Sequence, residues 1–539
     1  MTERGSFYRK ITYLVLIAVL LFPISQLGAP ATLEDQGGAL AQMRHDYDLG
    51  QSNLGDIDPA SETIRLATLG LRGIAVSMLW HKASEYKKKE DWTNFRATLQ
   101  QLSKLQPYFV SFWRYQAWNL AYNVSVELDD VRDRYYYVRR GIEFLEEGAK
   151  YIRFSPYLLT ELGWFTGSKI GTADEKTEYR RLFKADDDYH PEDRPREQRD
   201  NWLVSRGWAE AAISAVDDRG ESMGQKNPSV FFAAPAMAQI NYSDAIEREG
   251  SFGEKAKNAW ATAGRLWRTF GNREMIASTG VKIRLLGIDR LQEESDRLVG
   301  ELESLVGDSR EKLLEKRRAS LSPEELEIID TPAEDLSDEQ YELYAEATQK
   351  LSITPEDIAE FIAEEYPEKS LEARKLAHRI AETNERLFLT RNNRDVANYA
   401  YWAARCKVEQ TPEALNAREL AYAANRAFQE DADLLEAKRM YEESFKLWAQ
   451  VFADNPELEM DSPSASDLVD EIEQYTNVLE QLDLNLMDEE IGSEFPLWDL
   501  MEVNNANGEF SEALEAYHRK TAPSETTSDS LKGIPQLPE

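Results

Sequence analysis

An all-α chain of stacked helical hairpins is the fold class that the sequence predicts, and three observations predict it. Apolar residues recur at helical spacing from about residue 63 almost to the end, while strand-like alternation flanked by Asn-Gly or Asp-Gly turns is absent. A short motif of small and aromatic residues four apart occurs four times. Ser-Pro or Thr-Pro followed by acidic residues marks three helix starts, because serine or threonine caps the first turn and proline fits its first position.

Taken in order, the chain begins with a run of 18 uncharged, mostly apolar residues, ITYLVLIAVLLFPISQLG, Ile11 to Gly28. As a helix this just spans a hydrocarbon core of about 30 Å. Arg4, Arg9 and Lys10 precede it and Glu34 and Asp35 follow, a bias that places the start in the cytoplasm and the bulk across the membrane. A cleaved signal peptide competes, because Pro23 can end the helix and Ala29-Pro30-Ala31 resembles a small-x-small cleavage site. Residues 1–33 are thus expected to be a single-pass anchor or signal peptide, residues 34–62 a polar linker, and the remainder extracytoplasmic, on the periplasmic side.

The repeated motif is clearest in NGEFSEALEAY, Asn507 to Tyr517, where a turn glycine precedes an aromatic and then Ala513 and Tyr517 on one helix face. It resembles the second helix of a tetratricopeptide repeat, in which a small residue lets two helices approach and an aromatic one turn on fills the groove between repeats. Three other stretches share it: Trp92, Phe95, Leu99 and Leu102; Phe252, Ala256, Trp260 and Ala263; and Leu434, Ala437, Tyr441 and Ser444. The expected organisation is therefore a tetratricopeptide-like solenoid over 63–275 and again, with acidic character, over 386–520. Leu79, Ala83 and Tyr86 take the packing positions of a first helix, and Pro107 ends that repeat. The next terminal proline, Pro156, comes 49 residues later instead of about 34. An insertion near NVSVELDDVRDRYYYV is implied, either as lengthened helices or as a projecting loop.

Candidate binding residues lie beside that insertion, in WRYQAWNLAYNVSVELDD. Trp113 and Ala117 take packing positions of the next hairpin. Trp118 and Tyr122 are one turn apart, as are Asn119 and Asn123 on the adjacent stripe. One repeat interface does not bury both stripes. Buried amides need hydrogen-bond partners, so two readings stand: amides that bond neighbouring helix ends inside the stack, or an aromatic-amide groove that captures a peptide or glycan. Trp113, Trp118, Asn119, Tyr122 and Asn123 are the candidates.

Residues 276–385 change character. Ile288, Leu291, Leu298, Leu302 and Leu305 follow a heptad-like spacing interrupted by Ser295, which suits a helical-hairpin seam. Helix starts are expected at SPEEL (Ser322), TPED (Thr354) and TPEA (Thr411). The polar, proline-bearing tail, 521–539, is expected to be disordered.

The net charge of −35 repels phosphate backbones, so nucleic acid is not an expected partner. The charge is uneven: residues 1–300 hold 40 basic and 42 acidic side chains, and residues 301–539 hold 23 and 56. No lysine or arginine occurs between Lys446 and Arg519, which is either a solvated face or a docking face for a cationic partner. Cys406 is the only cysteine, so intrachain disulfides are excluded; it reads as a small buried apolar residue or as a reactive thiol.

Catalytic signatures are missing: no HExxH, GxSxG, phosphate loop or GxGxxG occurs. The five histidines are scattered, and no metal or other cofactor is expected. KADDDYHPEDRPREQRDNW, Lys184 to Trp202, could offer Asp186, Asp187, Asp188 and His190 to a cation, but it lacks the alternating carboxylates and turn glycine of a calcium loop. The other reading is a solvated loop with its own Arg-carboxylate pairs.

The segments LWHKASEYKK, LQPYFVSFW, AWNLAYNVSVE, LGWFTGSKIG and FKADDDYHPEDRP, within Ile64 to about Trp202, resemble a group of functionally uncharacterised, membrane-anchored, tetratricopeptide-like proteins of planctomycete-type bacteria. The resemblance covers about a quarter of the chain. It implies a helical-repeat fold outside the cytoplasm and carries no activity, substrate or catalytic residue. The expectation is a non-enzymatic, membrane-anchored scaffold that binds a protein partner in the cell envelope. Its rivals are a carboxylate-based envelope enzyme acting on glycans, with acid and base from 127–133 or 186–193, and an accessory subunit of a membrane complex.

Overall fold

The computed structural model describes residues 72–521, without residues 106, 278, 333–335, 459–462, 506–507 and 509. The run from Ile11 to Gly28, the linker and the tail beyond Thr521 lie outside the described residues. No helix among the described residues is long and apolar enough to cross a membrane.

The described chain is all-α apart from one ribbon. Met275–Ile276 (β1) pairs antiparallel with Lys282–Ile283 (β2), closed by a turn in which the Gly280 amide donates to the Ala277 carbonyl at 2.9 Å. Two-residue strands are too short to show alternation, so periodicity could not reveal them. By compactness the chain divides between Gln225 and Lys226, within the segment 63–275 that the repeat pattern delimits.

In the first unit, α1 (Arg72–Lys88) packs on α2 (Trp92–Leu105). Ala83, Phe95, Leu99 and Leu102 are buried in this pair, with Leu79, Tyr86 and Trp92 packed against them. α3 (Val110–Trp118) continues into a π-helical turn, Asn119–Val124, and a 3-10 turn, Ser125–Glu127. α4 (Val131–Tyr151) packs against both α3 and that π turn. Asp130 caps α4 by accepting the Arg132 amide at 2.8 Å. The extra residues before Pro156 are thus taken up in lengthened helix, with only 128–130 as a link.

Ala117, Ala121 and Gly141 allow the close approach of α3 to α4. A Cβ on Gly141 would lie 2.8 Å from the Ala117 carbonyl oxygen and 2.9 Å from the Ala121 Cβ. α5 (Pro156–Trp164), started by the Ser155 cap and Pro156, runs into a second π turn, Phe165–Lys169. α6 (Lys176–Ala185) and α7 (Asn201–Arg219) complete the unit, with α7 packed on α5. Asn201 Nδ2 donates to the carbonyls of Thr166 (3.2 Å) and Gly167 (3.0 Å), giving partners to backbone groups of the second π turn.

The second unit holds α8 (Pro228–Arg248), α9 (Glu254–Asn272), α10 (Ile288–Leu305), α11 (Ser309–Arg318), α12 (Pro323–Asp330), α13 (Asp338–Leu351), α14 (Pro355–Glu365), α15 (Ser370–Val396), α16 (Tyr399–Val408), α17 (Pro412–Gln429), α18 (Leu434–Asp454), α19 (Pro463–Gln481), α20 (Glu489–Glu494), α21 (Trp498–Val503) and α22 (Ser511–Thr521). The three Ser/Thr-Pro sites start α12, α14 and α17, and Ser322 and Thr354 form full capping boxes with Glu325 and Asp357. The heptad-like seam packs on α15, whose start lies 65 residues beyond the end of α10, and not on a neighbour in sequence. Ser295, the polar interruption, is buried there and donates to Asn384 Oδ1 at 2.6 Å.

The repeated motif lies in helices that pair with their predecessors. Ala256, Trp260 and Ala263 bury α9 against α8, and Ala437, Tyr441 and Ser444 bury α18 against α17. Ser444 Oγ donates to the Ala417 carbonyl at 2.9 Å, a contact that only a small residue permits. In the fourth copy Tyr517 stacks on Trp498, with ring centres 4.5 Å apart.

A network of charges, buried at Arg405 and Glu409, nearly so at Arg418 and exposed at Arg248, joins α8, α16, α17 and α19. Arg405 pairs with Asp244 (2.7 Å), Glu409 and Asp467 (3.4 Å each), and Arg248 with Asp467 (2.8 Å) and Asp244 (3.2 Å). Arg418 pairs with Glu409 at 2.8 Å and reaches Asp467 and Glu471 at 3.8 Å. Two acids of the stretch without lysine or arginine, Asp467 and Glu471, are therefore structural partners of arginines from outside it.

Three guanidiniums face five carboxylates, because Glu247 also lies there, accepting the Trp260 indole N–H at 3.0 Å. Burial, followed by the Glu409 charge, pushes Glu247 up to about 8. Burial pushes Glu471 up to about 7, and its Oε2 is buried without a hydrogen-bond partner. A glutamate of the unfolded chain titrates near about 4.3, so between that value and 7 to 8 the folded chain binds more protons than the unfolded one. Stability should therefore fall as pH rises through this window, by roughly 1.4 kcal/mol per pH unit for each fully titrating group, and level off above about 8. The lowered pKa of Asp244 acts only at more acidic pH. Urea unfolding at pH 5.5, 7 and 8.5 tests this; greater stability at 8.5 than at 5.5 would refute it.

Candidate functional site

The five candidate residues divide into an inner and an outer set. Trp113 is fully buried, donates its indole N–H to the Pro107 carbonyl at 2.7 Å and stacks on Tyr151. Asn119 is also buried: its Oδ1 accepts from Lys87 Nζ at 3.0 Å and from Asn123 Nδ2 at 2.7 Å, and its Nδ2 donates to Gln116 Oε1 at 3.4 Å. The amide stripe thus ties α1 to the π turn after α3, as buried amides require.

Trp118 faces outward, and Tyr122 lies half-buried beside it. Trp118 is 40% exposed and lies near-parallel to Tyr122, with centroids 6.2 Å apart. Tyr122 is near-parallel to Trp164, which is 48% exposed, at 5.6 Å. Lys169 Nζ stands 4.6 Å from the centre of the Tyr122 ring, close enough for a cation–π attraction. Burial, with the Arg134 charge adding to it, lowers the Lys169 pKa. Burial, then the Glu161 charge, raises that of the Tyr122 phenol, which stays protonated. Arg114 Nε donates to Glu161 Oε2 at 3.1 Å beside this ledge.

Both π turns contribute to the ledge: Tyr122 belongs to one, Lys169 is the last residue of the other, and Trp164 directly precedes it. Each π turn inserts one extra residue and shifts the phase of the side chains that follow. No local pattern in the sequence marks Trp164 or Lys169 as part of this ledge. Trp164 stands 46 positions after Trp118, and no helical spacing links two separate helices.

The loop before α7 is held by arginines. Asp186 accepts from Tyr135 Oη (2.8 Å) and Arg139 (3.1 Å), and Asp187 from Arg199 (2.5 Å). His190 is buried, with Nε2 2.8 Å from the Phe183 carbonyl and Nδ1 3.1 Å from Arg194. A guanidinium only donates, so Nδ1 accepts and the ring is neutral; burial lowers its pKa. No cluster among the described residues could hold a metal ion. Asp130 caps α4, while Asp129 and Asp133 are exposed. Asp188 borders a polar hollow of about 440 Å³ with Glu143, Glu146, Glu147 and Arg140. Burial raises the pKa of Glu146 and of Glu147.

Cys406 is buried, and burial pushes its thiol up to about 12, far from the thiolate that reactivity needs. No protein-family model matches the chain, and no curated protein matches it.

Proposed function

We propose that the chain is a membrane-anchored, extracytoplasmic scaffold of tetratricopeptide-like hairpins that binds a protein partner in the cell envelope through the Trp118–Tyr122–Trp164 ledge. The observation that carries this reading is the ledge itself, three near-parallel rings with two of them 40% and 48% exposed. Tryptophan and tyrosine concentrate binding energy at interfaces, and contiguous exposed apolar surface marks them. The four copies of the helix motif, three of them with a small residue four before an aromatic, support the repeat reading, the run from Ile11 to Gly28 supports the membrane anchor, and the net charge of −35 argues against nucleic acid. Lys169 suits a partner segment that presents an acidic group beside an apolar or aromatic one.

Crosslinking pull-down from intact membranes tests this, comparing the native chain with Trp118→Ala and Trp164→Ala. A defined partner should be lost from both variants while their unfolding midpoints stay close to the parent's. An unchanged partner set in well-folded variants would sink the reading. A glycan-acting enzyme is the second reading, placed at the hollow where Asp188 stands near Glu146 and Glu147. It predicts glycan cleavage that Glu146→Gln abolishes.

A further inference from the structure

Beside that polar hollow, and sharing with it the wall formed by Glu146, Lys150 and Tyr189, lies a second one of about 550 Å³. Tyr189 Oη donates to Glu146 Oε1 at 2.7 Å. The apolar lining comes from Leu159 on α5 and from Trp208, Ala211 and Ala215, which recur three and four apart along α7. Two alanines on that stripe, following a tryptophan, leave the space open.

The polar lining is cationic, although the chain as a whole carries −35. Lys150, Arg153, Arg194 and Arg219 line the hollow from three separate segments, and Glu146 is the only carboxylate among the lining residues. Burial raises the pKa of Glu146, which weakens its tendency to offset those four charges. Phe154, also in the lining, adopts φ +62°, a left-handed conformation unusual for an aromatic residue. In that conformation its ring lies under the Arg219 guanidinium, 3.3 Å from carbon to ring centre. A strained backbone conformation thus accompanies a stacked aromatic–cation wall.

We infer that this hollow binds a small organic acid, with an apolar body against Leu159, Trp208, Ala211 and Ala215 and one anionic head among the arginines. Its volume is that of an ordinary small-molecule pocket, for which roughly 300–1,000 Å³ is typical. Both requirements are complementary: the head meets cationic side chains, and the body displaces water from a hollow lined by alanine, leucine and indole. The site is independent of the Trp118 ledge.

Calorimetric titration of the full chain with 4-phenylbutyrate, 4-phenylbutanamide and inorganic phosphate tests the inference. The acid should bind saturably at one site, with the neutral amide and bare phosphate each weaker by about tenfold or more. Arg219→Gln, at an exposed helix end, should weaken the acid by about tenfold, and Ala211→Phe should block the site by filling it. Trp118→Ala should leave this binding unchanged, which separates the inference from the ledge reading. Three results would overturn it: no saturable binding of 4-phenylbutyrate; equal binding of the amide or of phosphate; or undiminished binding in Arg219→Gln and Ala211→Phe. Should Ala211→Phe unfold, Arg219→Gln decides alone.

Discussion

Replacing Arg418 by methionine is expected to destabilise the second unit by about 3–5 kcal/mol, because breaking a buried ion pair from one side strands its partners. The Arg418 side chain is only 10% exposed and lies 4.7 Å from the centre of the Trp448 ring. Among the described residues, Glu409, 2% exposed, would keep the 3.4 Å contact to Arg405, and Glu471 would lose its approach to a guanidinium. Methionine preserves much of the stem's packing against Trp448, so the loss is chiefly electrostatic. Glu471→Gln supplies the contrast. With its carboxyl held protonated up to about 7, the amide is a close mimic, so stability at pH 6 should change little and the slope with pH should flatten. Urea unfolding of both variants at pH 6, with Glu471→Gln and the parent measured again at pH 8.5, reads both effects. An Arg418→Met variant within about 1 kcal/mol of the parent would mean that the network is solvated and loosely held.

Trp113→Ala is expected to remove about 3–5 kcal/mol from the first unit, as truncation of a buried tryptophan does. Trp113 is 0% exposed, packs on Phe112, Phe144 and Tyr151, and fits against Gly148 so closely that a Cβ there would meet it at 2.6 Å. The Pro107 carbonyl would also lose its donor. Trp118→Ala, five residues on, should cost less than about 1 kcal/mol, since its ring is partly in water and leaves no closed cavity. Thermal unfolding of the two variants side by side checks the assignment of inner and outer rings. Equal losses would place Trp118 in the core and remove the ledge from consideration as a binding surface.

The same pair of residues shows what could and could not be read from sequence. Trp113 and Ala117 announce packing because a bulky and a small residue one turn apart suit a helix contact, and the structure buries both. Trp118, Tyr122, Asn119 and Asn123 are legible as two adjacent stripes, but spacing alone does not say which one faces inward. The π turn and the reach of Lys87 from α1 settle it for the amides. Trp164 and Lys169 join the ledge only because α5 folds back beside α3, a contact across 42 or more positions that no local pattern encodes.

By itself the sequence determined the all-α class, the helix starts at Ser322, Thr354 and Thr411, the burial of the repeated small-aromatic motif and the strong acidity of the second half. These follow from local rules of helical period, capping and composition, which act within a few residues. The tertiary structure alone decided that α15 is the partner of the heptad-like α10, and that Asp467 and Glu471 are claimed by arginines instead of by solvent. It also decided that Lys150, Arg153, Arg194 and Arg219 line one hollow. The physical reason is common to all three: side chains distant in the chain acquire shared burial and shared electrostatics only when packing brings their helices together, and desolvation then sets their charge states.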